Sequence, residues 1–212
     1  MEQRHFLFDF DGTLVDSMQI WARTHIRMLL KQKISIPKDY VQTITPLGNE
    51  GAALYSVSLG LKMPPGEYMS ELDKELVRQY NSNVYLKENV ENKLRELKSS
   101  GICLHVLTAS SHSYVDSCLR RFGVLELFDN VWSVEDFGLS KADKQIYIEA
   151  ARRLSAEPKS CTMVDDNYSA LCAARRAGLN TVAVYDKSSK NMEKAIREAA
   201  DKYVYGFEEI EI

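Results

Sequence analysis

Short apolar segments alternate with amphipathic ones along most of the chain. Between the apolar segments, apolar residues recur every three or four positions, which is typical of helices with one buried face. Strands that alternate with such helices predict crossover connections and therefore a mostly parallel sheet. The segments that we interpret as strands are HFLF (5–8), ICLHVL (102–107), NVWSV (130–134), CTMV (161–164), TVAVY (181–185) and KYVY (202–205).

Five helices are predicted between and after the later strands. Gly101, Gly123 and Gly178 follow three of them closely, and glycine is a typical residue just past the end of a helix. The predicted helices span residues 90–97, 113–122, 144–154, 168–177 and 191–200.

Residues 18–84 show a different pattern, in which helical periodicity recurs without any segment typical of a strand. The pattern predicts helices at 20–30, 51–59 and 68–80, with loops at 35–38 and at 63–66, which carries Pro64 and Pro65. Because this helical block follows the first strand directly, we expect a two-part molecule. The expected parts are an α/β core of residues 1–16 and 85–212 and an inserted helical domain of residues 17–84.

Composition narrows the class of protein. The chain has 212 residues, of which 45% are hydrophobic and 27% are charged, as in soluble globular proteins. A net charge of -3 provides no reason to expect nucleic acid or an anionic membrane as a partner. No apolar segment approaches the length of a membrane span. The first ten residues, MEQRHFLFDF, lack the succession of basic, apolar and small residues that is typical of a signal peptide. We therefore expect a cytoplasmic protein, monomeric or weakly dimeric, without nucleic-acid or membrane partners.

Three of the predicted strands lead directly into residues with carboxylate or hydroxyl side chains. Asp9 and Asp11 follow the first strand, Thr108-Ala109-Ser110 follows the second, and Asp165-Asp166 follows CTMV. In open parallel sheets, ligands bind beyond the carboxyl ends of the strands. The sequence therefore predicts that these groups converge at one edge of the sheet.

Four carboxylates at one edge require a cation. Asp9, Asp11, Asp165 and Asp166 cannot all stay ionised close together without positive charge between them. Oxygen ligands without histidine or cysteine favour a hard ion, and Mg²⁺ is the usual one. We therefore expect a Mg²⁺ site formed by these aspartates.

The same edge offers groups that bind an anion. The Thr108 hydroxyl and the backbone N–H groups of Ala109 and Ser110 lie where a strand leads into a helix, and helix N-termini bind phosphate. Lys141, in the loop GLSKADK, can bring a positive charge to the same oxygens. Two purely structural interpretations remain open. Thr108 can be a helix-capping hydroxyl, and Lys141 can be a solvated lysine in a loop.

With a phosphoryl group bound there, the spacing of Asp9 and Asp11 has a chemical meaning. Residues i and i+2 at the end of a strand project to the same side. One carboxylate can attack phosphorus, while the other protonates the leaving oxygen and later deprotonates water. Gly12 allows the chain to bend sharply at this point.

Four segments, taken in order, resemble the four motifs of the haloacid dehalogenase superfamily. DFDGTLVDS resembles the first motif in its phosphatase form, and HVLTAS resembles the second. SKADKQIYIEAARRL is similar to the third and CTMVDDNYSALCAARRAGL to the fourth. The resemblance covers nearly the whole chain.

The resemblance implies a doubly wound parallel sheet in the order 3-2-1-4-5, an inserted helical cap domain and bound Mg²⁺. It implies that Asp9 is the nucleophile and Asp11 the acid/base. The metal ligands would be Asp9, Asp165, Asp166 and Asp11, the last through its backbone carbonyl. The implied phosphate-binding residues are Thr108, Ala109, Ser110 and Lys141.

Two departures from the family pattern matter. Ala142 and Lys144 replace the prolines of the usual third motif, so that Lys144 is a second candidate for the phosphate-binding lysine. The stretch ITPLGNEG lacks the arginine that β-phosphoglucomutase relatives carry there, although Arg23 and Arg27 lie on the first helix of the inserted domain.

The expected function is that of a Mg²⁺-dependent phosphatase that hydrolyses a small phosphorylated metabolite, such as phosphoglycolate or a sugar phosphate. A phosphosugar mutase of the β-phosphoglucomutase kind is the alternative. Dehalogenation is disfavoured because that branch needs no second aspartate, and Asp11 is present. A metal-binding or interaction protein without activity is the third hypothesis.

Overall fold

The computed structural model describes residues 3–211, apart from the side chains at positions 46, 48 and 49. Its contacts divide the chain into two units. We call Met1–Asp16 together with Tyr85–Ile212 the core unit, and Ser17–Val84 the helical unit. In the described part of the chain, no helix is both long enough and apolar enough to cross a membrane.

The core unit contains a sheet of six parallel strands in the order β3-β2-β1-β4-β5-β6. The strands are β1 (His5–Phe8), β2 (Cys103–Thr108), β3 (Asn130–Ser133), β4 (Cys161–Asp165), β5 (Asn180–Val184) and β6 (Lys202–Val204). The predicted doubly wound α/β fold is confirmed. The expected order of five strands needs one correction, because β6 pairs with residues 182–184 of β5 and extends the sheet by a sixth strand.

The helical unit contains four α-helices: α1 (Met18–Lys31), α2 (Tyr40–Ile44), α3 (Gly48–Ser58) and α4 (Pro65–Asn83). The loop predicted at 63–66 is wrong in its second half, because Pro65 and Gly66 begin α4. Proline is favoured in the first helical position, where its fixed φ is already helical and its missing N–H has no helical partner. The short α2 was not predicted.

Aromatic side chains fill the interior of the helical unit. Tyr40, Tyr68 and Tyr80 are buried completely or nearly so. The Tyr40 hydroxyl lies 2.8 Å from the Ser56 hydroxyl, and the Tyr68 hydroxyl lies 2.7 Å from Nδ1 of His25. These hydrogen bonds satisfy polar groups that would otherwise be costly to bury.

The remaining helices belong to the core unit: α5 (Val90–Ser99), α6 (His112–Phe122), α7 (Lys144–Arg153), α8 (Tyr168–Arg176) and α9 (Glu193–Ala199). The helix predicted at 191–200 begins later, because a 3₁₀ turn over Lys187–Met192 precedes it. Asp186 caps that turn by accepting a hydrogen bond from the backbone N–H of Ser188.

The carboxyl end of β1 lies in the middle of the sheet, between β2 and β4. All four residues of β1 are buried. Leu7 of β1 and Met163 of β4 pack with α7 and α8, whose Ala150, Ala173 and Ala174 are small enough for close helix–sheet contact. The residues that follow β1 and β4 are therefore held by a rigid, well-packed frame.

A buried histidine pair lies within the sheet. His105 of β2 is 1% exposed and stacks between His5 and Trp132, with ring centroids 5.4 and 5.7 Å away. The Asn130 amide donates to Nδ1 of His105, and Nε2 of His105 lies 3.1 Å from Nδ1 of His5. Burial lowers the pKa of His105 to about 4. His105 is therefore a packed core histidine.

Substitution of His105 by glutamine should change how stability depends on pH. Because the pKa of His105 is lower in the folded than in the unfolded chain, the unfolded state binds more protons below pH 6.5. Wild type should therefore lose about 3 kcal/mol of unfolding free energy relative to His105→Gln as the pH falls from 6.5 to 4. Urea unfolding at several pH values measures this difference.

The control for this experiment is His112→Gln. Asp136 and Asp116 raise the pKa of His112, so that its contribution to stability is present below pH 6.5 and is lost as the pH rises. The difference between wild type and His112→Gln should therefore have the opposite sign. Identical pH profiles for wild type and His105→Gln would contradict the prediction.

Candidate active site

Three carboxylates meet at the carboxyl ends of β1 and β4. These strands are paired, and the backbone N–H of Asp9 continues the ladder by donating to the Val164 carbonyl at 2.9 Å. Asp9, Asp165 and Asp166 each offer a carboxylate oxygen, and these oxygens lie within 4.8 Å of one another. All three residues are buried, with at most 7% of their surface exposed.

Lys141 lies against two of these carboxylates. Its Nζ is 2.6 Å from Oδ1 of Asp9 and 2.6 Å from Oδ2 of Asp165, and only 11% of its side chain is exposed. The buried Tyr147 on α7 donates its hydroxyl to the Lys141 carbonyl at 2.9 Å, which anchors the loop. Lys144, the second candidate, is exposed at the start of α7.

The three carboxylates carry more negative charge than Lys141 offsets. Burial opposes a charge on Lys141, but Asp165 and Asp9 together raise its pKa, so that it stays an ammonium. Burial also raises the pKa of Asp165, to about 6, and burial with Asp165 and Asp9 raises that of Asp166. Three buried carboxylates, whose donors are all oxygen, suit a hard divalent cation.

Asp11 lies in a tight turn that continues from β1. The N–H groups of Leu14 and Val15 both donate to the Phe10 carbonyl, at 2.9 and 3.0 Å. Gly12 has a φ of +76°, and a Cβ there would lie only 2.7 Å from Oδ1 of Asp166. The turn therefore requires glycine, both for its backbone conformation and for its close approach to Asp166.

The Asp11 carboxylate accepts a hydrogen bond from the Ser110 hydroxyl. Among the described residues, Asp11 is not a member of the group of three carboxylates. Asp9 and Asp11 are therefore held by different partners, Asp9 by Lys141 and Asp11 by Ser110. This difference allows the two residues to have different roles.

The loop after β2 connects a buried hydroxyl to the start of α6. Thr108 is 1% exposed, and its Oγ1 accepts from the Ser110 N–H at 3.0 Å. Ser111, and not Thr108, caps α6 by accepting from the Ser113 N–H. His112, the first helical residue, makes its hydrogen bonds outside this loop. Its Nδ1 lies 3.0 Å from an Asp116 carboxylate oxygen, and its Nε2 lies 2.9 Å from an Asp136 carboxylate oxygen.

Three polar contacts were not expected from the motifs. Asp166 accepts from the Thr13 hydroxyl at 3.2 Å and from the Ser189 hydroxyl at 2.8 Å. Lys87 donates to the Gly12 carbonyl. Ser189 lies in the loop after β5, and the rule that ligands bind beyond the carboxyl ends of parallel strands would have included this loop in the site. Lys87 lies in a linker, where the sequence has no periodic pattern from which its position could be predicted.

Arg23 and Arg27 lie on α1 of the helical unit. With Gln79 and Asn83 of α4 they line a groove of about 340 Å³. Arg27 also pairs with Glu75, at 3.2 Å. Within this unit the two arginines therefore belong to one polar groove between α1 and α4.

Comparisons with known proteins show the family of this chain. Residues 6–184 match the family model described as haloacid dehalogenase-like hydrolase. The pyrophosphatase PpaX of Bacillus velezensis is 28% identical over 187 residues, which cover 84% of this chain and 81% of that protein. A phosphoglycolate phosphatase of Psychrobacter arcticus is 26% identical over 197 residues, which cover 87% and 84%.

A solved structure shows the same fold. CbbY from Rhodobacter sphaeroides, in complex with phosphate, superposes with a TM-score of 0.85 at 22% identity, covering 98% of this chain and 96% of that one. The family model spans most of the chain, from β1 to the end of β5. The chain therefore belongs to the haloacid dehalogenase-like hydrolase family.

Proposed function

We propose that this protein is a Mg²⁺-dependent phosphatase that hydrolyses a small phosphorylated metabolite of the phosphoglycolate or sugar phosphate type. The observation that carries the proposal is the position of Lys141 between Asp9 and Asp165, two members of a group of buried carboxylates that also includes Asp166. The names of the two relatives above, a pyrophosphatase and a phosphoglycolate phosphatase, support phosphate chemistry.

In this proposal Asp9 is the nucleophile. Its carboxylate attacks phosphorus, the bond from phosphorus to the ester oxygen breaks, and an aspartyl phosphate forms. Asp11 donates a proton to the departing oxygen and then takes one from the attacking water, which releases inorganic phosphate and free Asp9. The Lys141 ammonium, the Thr108 hydroxyl and the N–H groups of Ala109 and Ser110 bind the phosphoryl oxygens.

The carboxylates of Asp9, Asp165 and Asp166, with the backbone carbonyl of Asp11, would hold the Mg²⁺ ion. When bound, the ion supplies positive charge that offsets the carboxylates and the phosphoryl oxygens. Thr13 and Ser189 orient Asp166 through their hydrogen bonds to its two oxygens. Lys141 bridges Asp9 and Asp165 and offsets part of their repulsion.

The helical unit, residues 17–84, acts as a cap that restricts the site to small substrates. We infer this role from the resemblance to the family, in which the inserted helical domain is a cap. The protein works in the cytoplasm as a monomer or weak homodimer, without nucleic-acid or membrane partners. The mutase alternative is disfavoured, because residues 44–51 contain no arginine.

A phosphate-release screen tests the proposal. The purified protein is incubated with Mg²⁺ and a panel of phosphorylated metabolites that includes phosphoglycolate, sugar phosphates and pyrophosphate. We expect release of inorganic phosphate, its loss with EDTA and its recovery with added Mg²⁺. Folded protein that releases no phosphate from any member would overturn the proposal. Interconversion of hexose phosphates without phosphate release would instead support the mutase.

Mg²⁺ binding has a second readout that does not depend on activity. A ligand at one hundred times its Kd stabilises the folded state by about 2.7 kcal/mol. We expect thermal unfolding to show such a shift for wild type and for Glu157→Gln, which changes an exposed carboxylate between the third and fourth motifs. Asp166→Asn should show little or no shift. An equal shift in all three proteins would contradict the proposed metal ligands.

A further inference from the structure

Lys87 is the third residue after the helical unit, and its side chain points into the core unit. The ammonium donates to the Gly12 carbonyl, lies 2.9 Å from the Tyr185 carbonyl and 2.8 Å from Oδ2 of Asp186. Only 17% of the side chain is exposed. A nearly buried ammonium with three oxygen partners is held in one place, since a charge there is costly without them.

The backbone of the same segment holds the turn that carries Asp11. The Lys87 N–H donates to the Leu14 carbonyl at 3.0 Å, and the Asp16 N–H donates to the Tyr85 carbonyl at 3.1 Å. Val15 and Leu86 form an antiparallel bridge. Lys87 therefore contacts the turn at two points. Its backbone N–H binds the Leu14 carbonyl, and its ammonium binds the Gly12 carbonyl.

Asp186, which pairs with the Lys87 ammonium, lies in a loop that also contacts Asp166. Asp186 accepts hydrogen bonds from the backbone N–H and the hydroxyl of Ser188, at 2.8 and 2.6 Å. The next residue, Ser189, donates its hydroxyl to Asp166. One ammonium thus connects the turn after β1 with the loop after β5, and both contact the carboxylate group.

We propose that Lys87 is a positioning residue for Asp11. Gly12 follows Asp11 directly and has the permissive backbone of glycine, so that the peptide group after Gly12 can rotate unless its carbonyl is held. Ser110 holds the Asp11 carboxylate, and Lys87 holds the backbone beyond it. The inference rests on the proposed function, in which Asp11 protonates the leaving oxygen.

The test uses two leaving groups. An alkyl phosphate must receive a proton as its alkoxide leaves, whereas p-nitrophenyl phosphate releases a stable phenolate without one. For Lys87→Met we expect kcat/KM to fall about 10- to 100-fold on the best alkyl substrate of the screen. On p-nitrophenyl phosphate it should fall by less than about 3-fold. A purely structural role would lower both values equally.

Lys93→Met is the matched control. Lys93 is also a buried lysine of the core unit, but its ammonium pairs with Glu96 of its own helix, at 2.8 Å. It should leave the ratio of the two kcat/KM values unchanged. Asp186→Asn removes one charge from the partners of Lys87 and should change the ratio in the same direction, which provides a second variant if Lys87→Met does not fold.

Chemical rescue provides an independent readout. Lys87→Ala leaves room for a small ammonium among the same three oxygens, and added n-propylammonium should recover part of the lost activity on the alkyl substrate. Equal losses on both substrates, or no loss, would overturn the inference while the proposed function stands. An inactive wild type would overturn both.

Discussion

Asp9→Asn should abolish turnover, lowering kcat by at least about 10⁴-fold on every substrate that wild type hydrolyses. The amide that replaces the carboxylate is a poor nucleophile, so that no aspartyl phosphate forms. Asp9 is also one of the two carboxylates that the Lys141 ammonium contacts at 2.6 Å. Phosphate release at saturating substrate and Mg²⁺ measures the effect.

Stability separates a catalytic loss from a folding defect in this variant. Removal of one negative charge from a group of three buried carboxylates relieves repulsion, so that the metal-free variant should unfold no more easily than wild type. Glu157→Gln makes the same chemical change at an exposed site and should keep full activity. Asp9→Asn with more than about 1% of wild-type kcat would rule out Asp9 as the nucleophile.

Lys141→Met should have the second largest effect, because it removes the ammonium that lies against Asp9 and Asp165. We expect the metal-free protein to lose about 3–5 kcal/mol of unfolding free energy, since the carboxylates then stay buried without their partner. Loss of the charge that faces the phosphoryl group should lower kcat by about 10²- to 10³-fold. Urea unfolding and phosphate release measure the two effects.

The pH dependence of this variant has a defined sign. The folded-state pKa of Asp165 is already raised above that of the unfolded chain, to about 6, and Lys141 is the group that opposes this rise. A raised carboxyl pKa gives stability that is present at low pH and is lost as the pH rises through the folded-state pKa. The deficit of Lys141→Met should therefore be smaller at pH 5 than at pH 8.

Lys144→Met is the matched control, because Lys144 is three residues away and exposed. It should change neither kcat nor the pH dependence of stability. If Lys144→Met caused the larger loss of activity, the phosphate-binding role proposed for Lys141 would be wrong.

Local patterns were sufficient to predict most of the core unit. The six strands lie where runs of β-branched and aromatic residues predicted them, because a buried strand needs such a run whatever its neighbours are. The expectation that Asp9, Asp165 and Asp166 meet required only the rule that parallel strands end at one edge. The start of α4 at Pro65 was missed because proline suits a loop and a first helical turn equally well.

The sequence by itself determined which carboxylates and hydroxyls stand at strand ends, since periodicity and turn chemistry act between near neighbours in the chain. Only the tertiary structure decided that Lys141 and not Lys144 reaches Asp9, because the Tyr147 hydroxyl anchors the loop at the Lys141 carbonyl. It also decided the place of Lys87, whose carbonyl partners lie 75 and 98 residues away. Contacts over such distances depend on how packed elements meet, which no local pattern encodes.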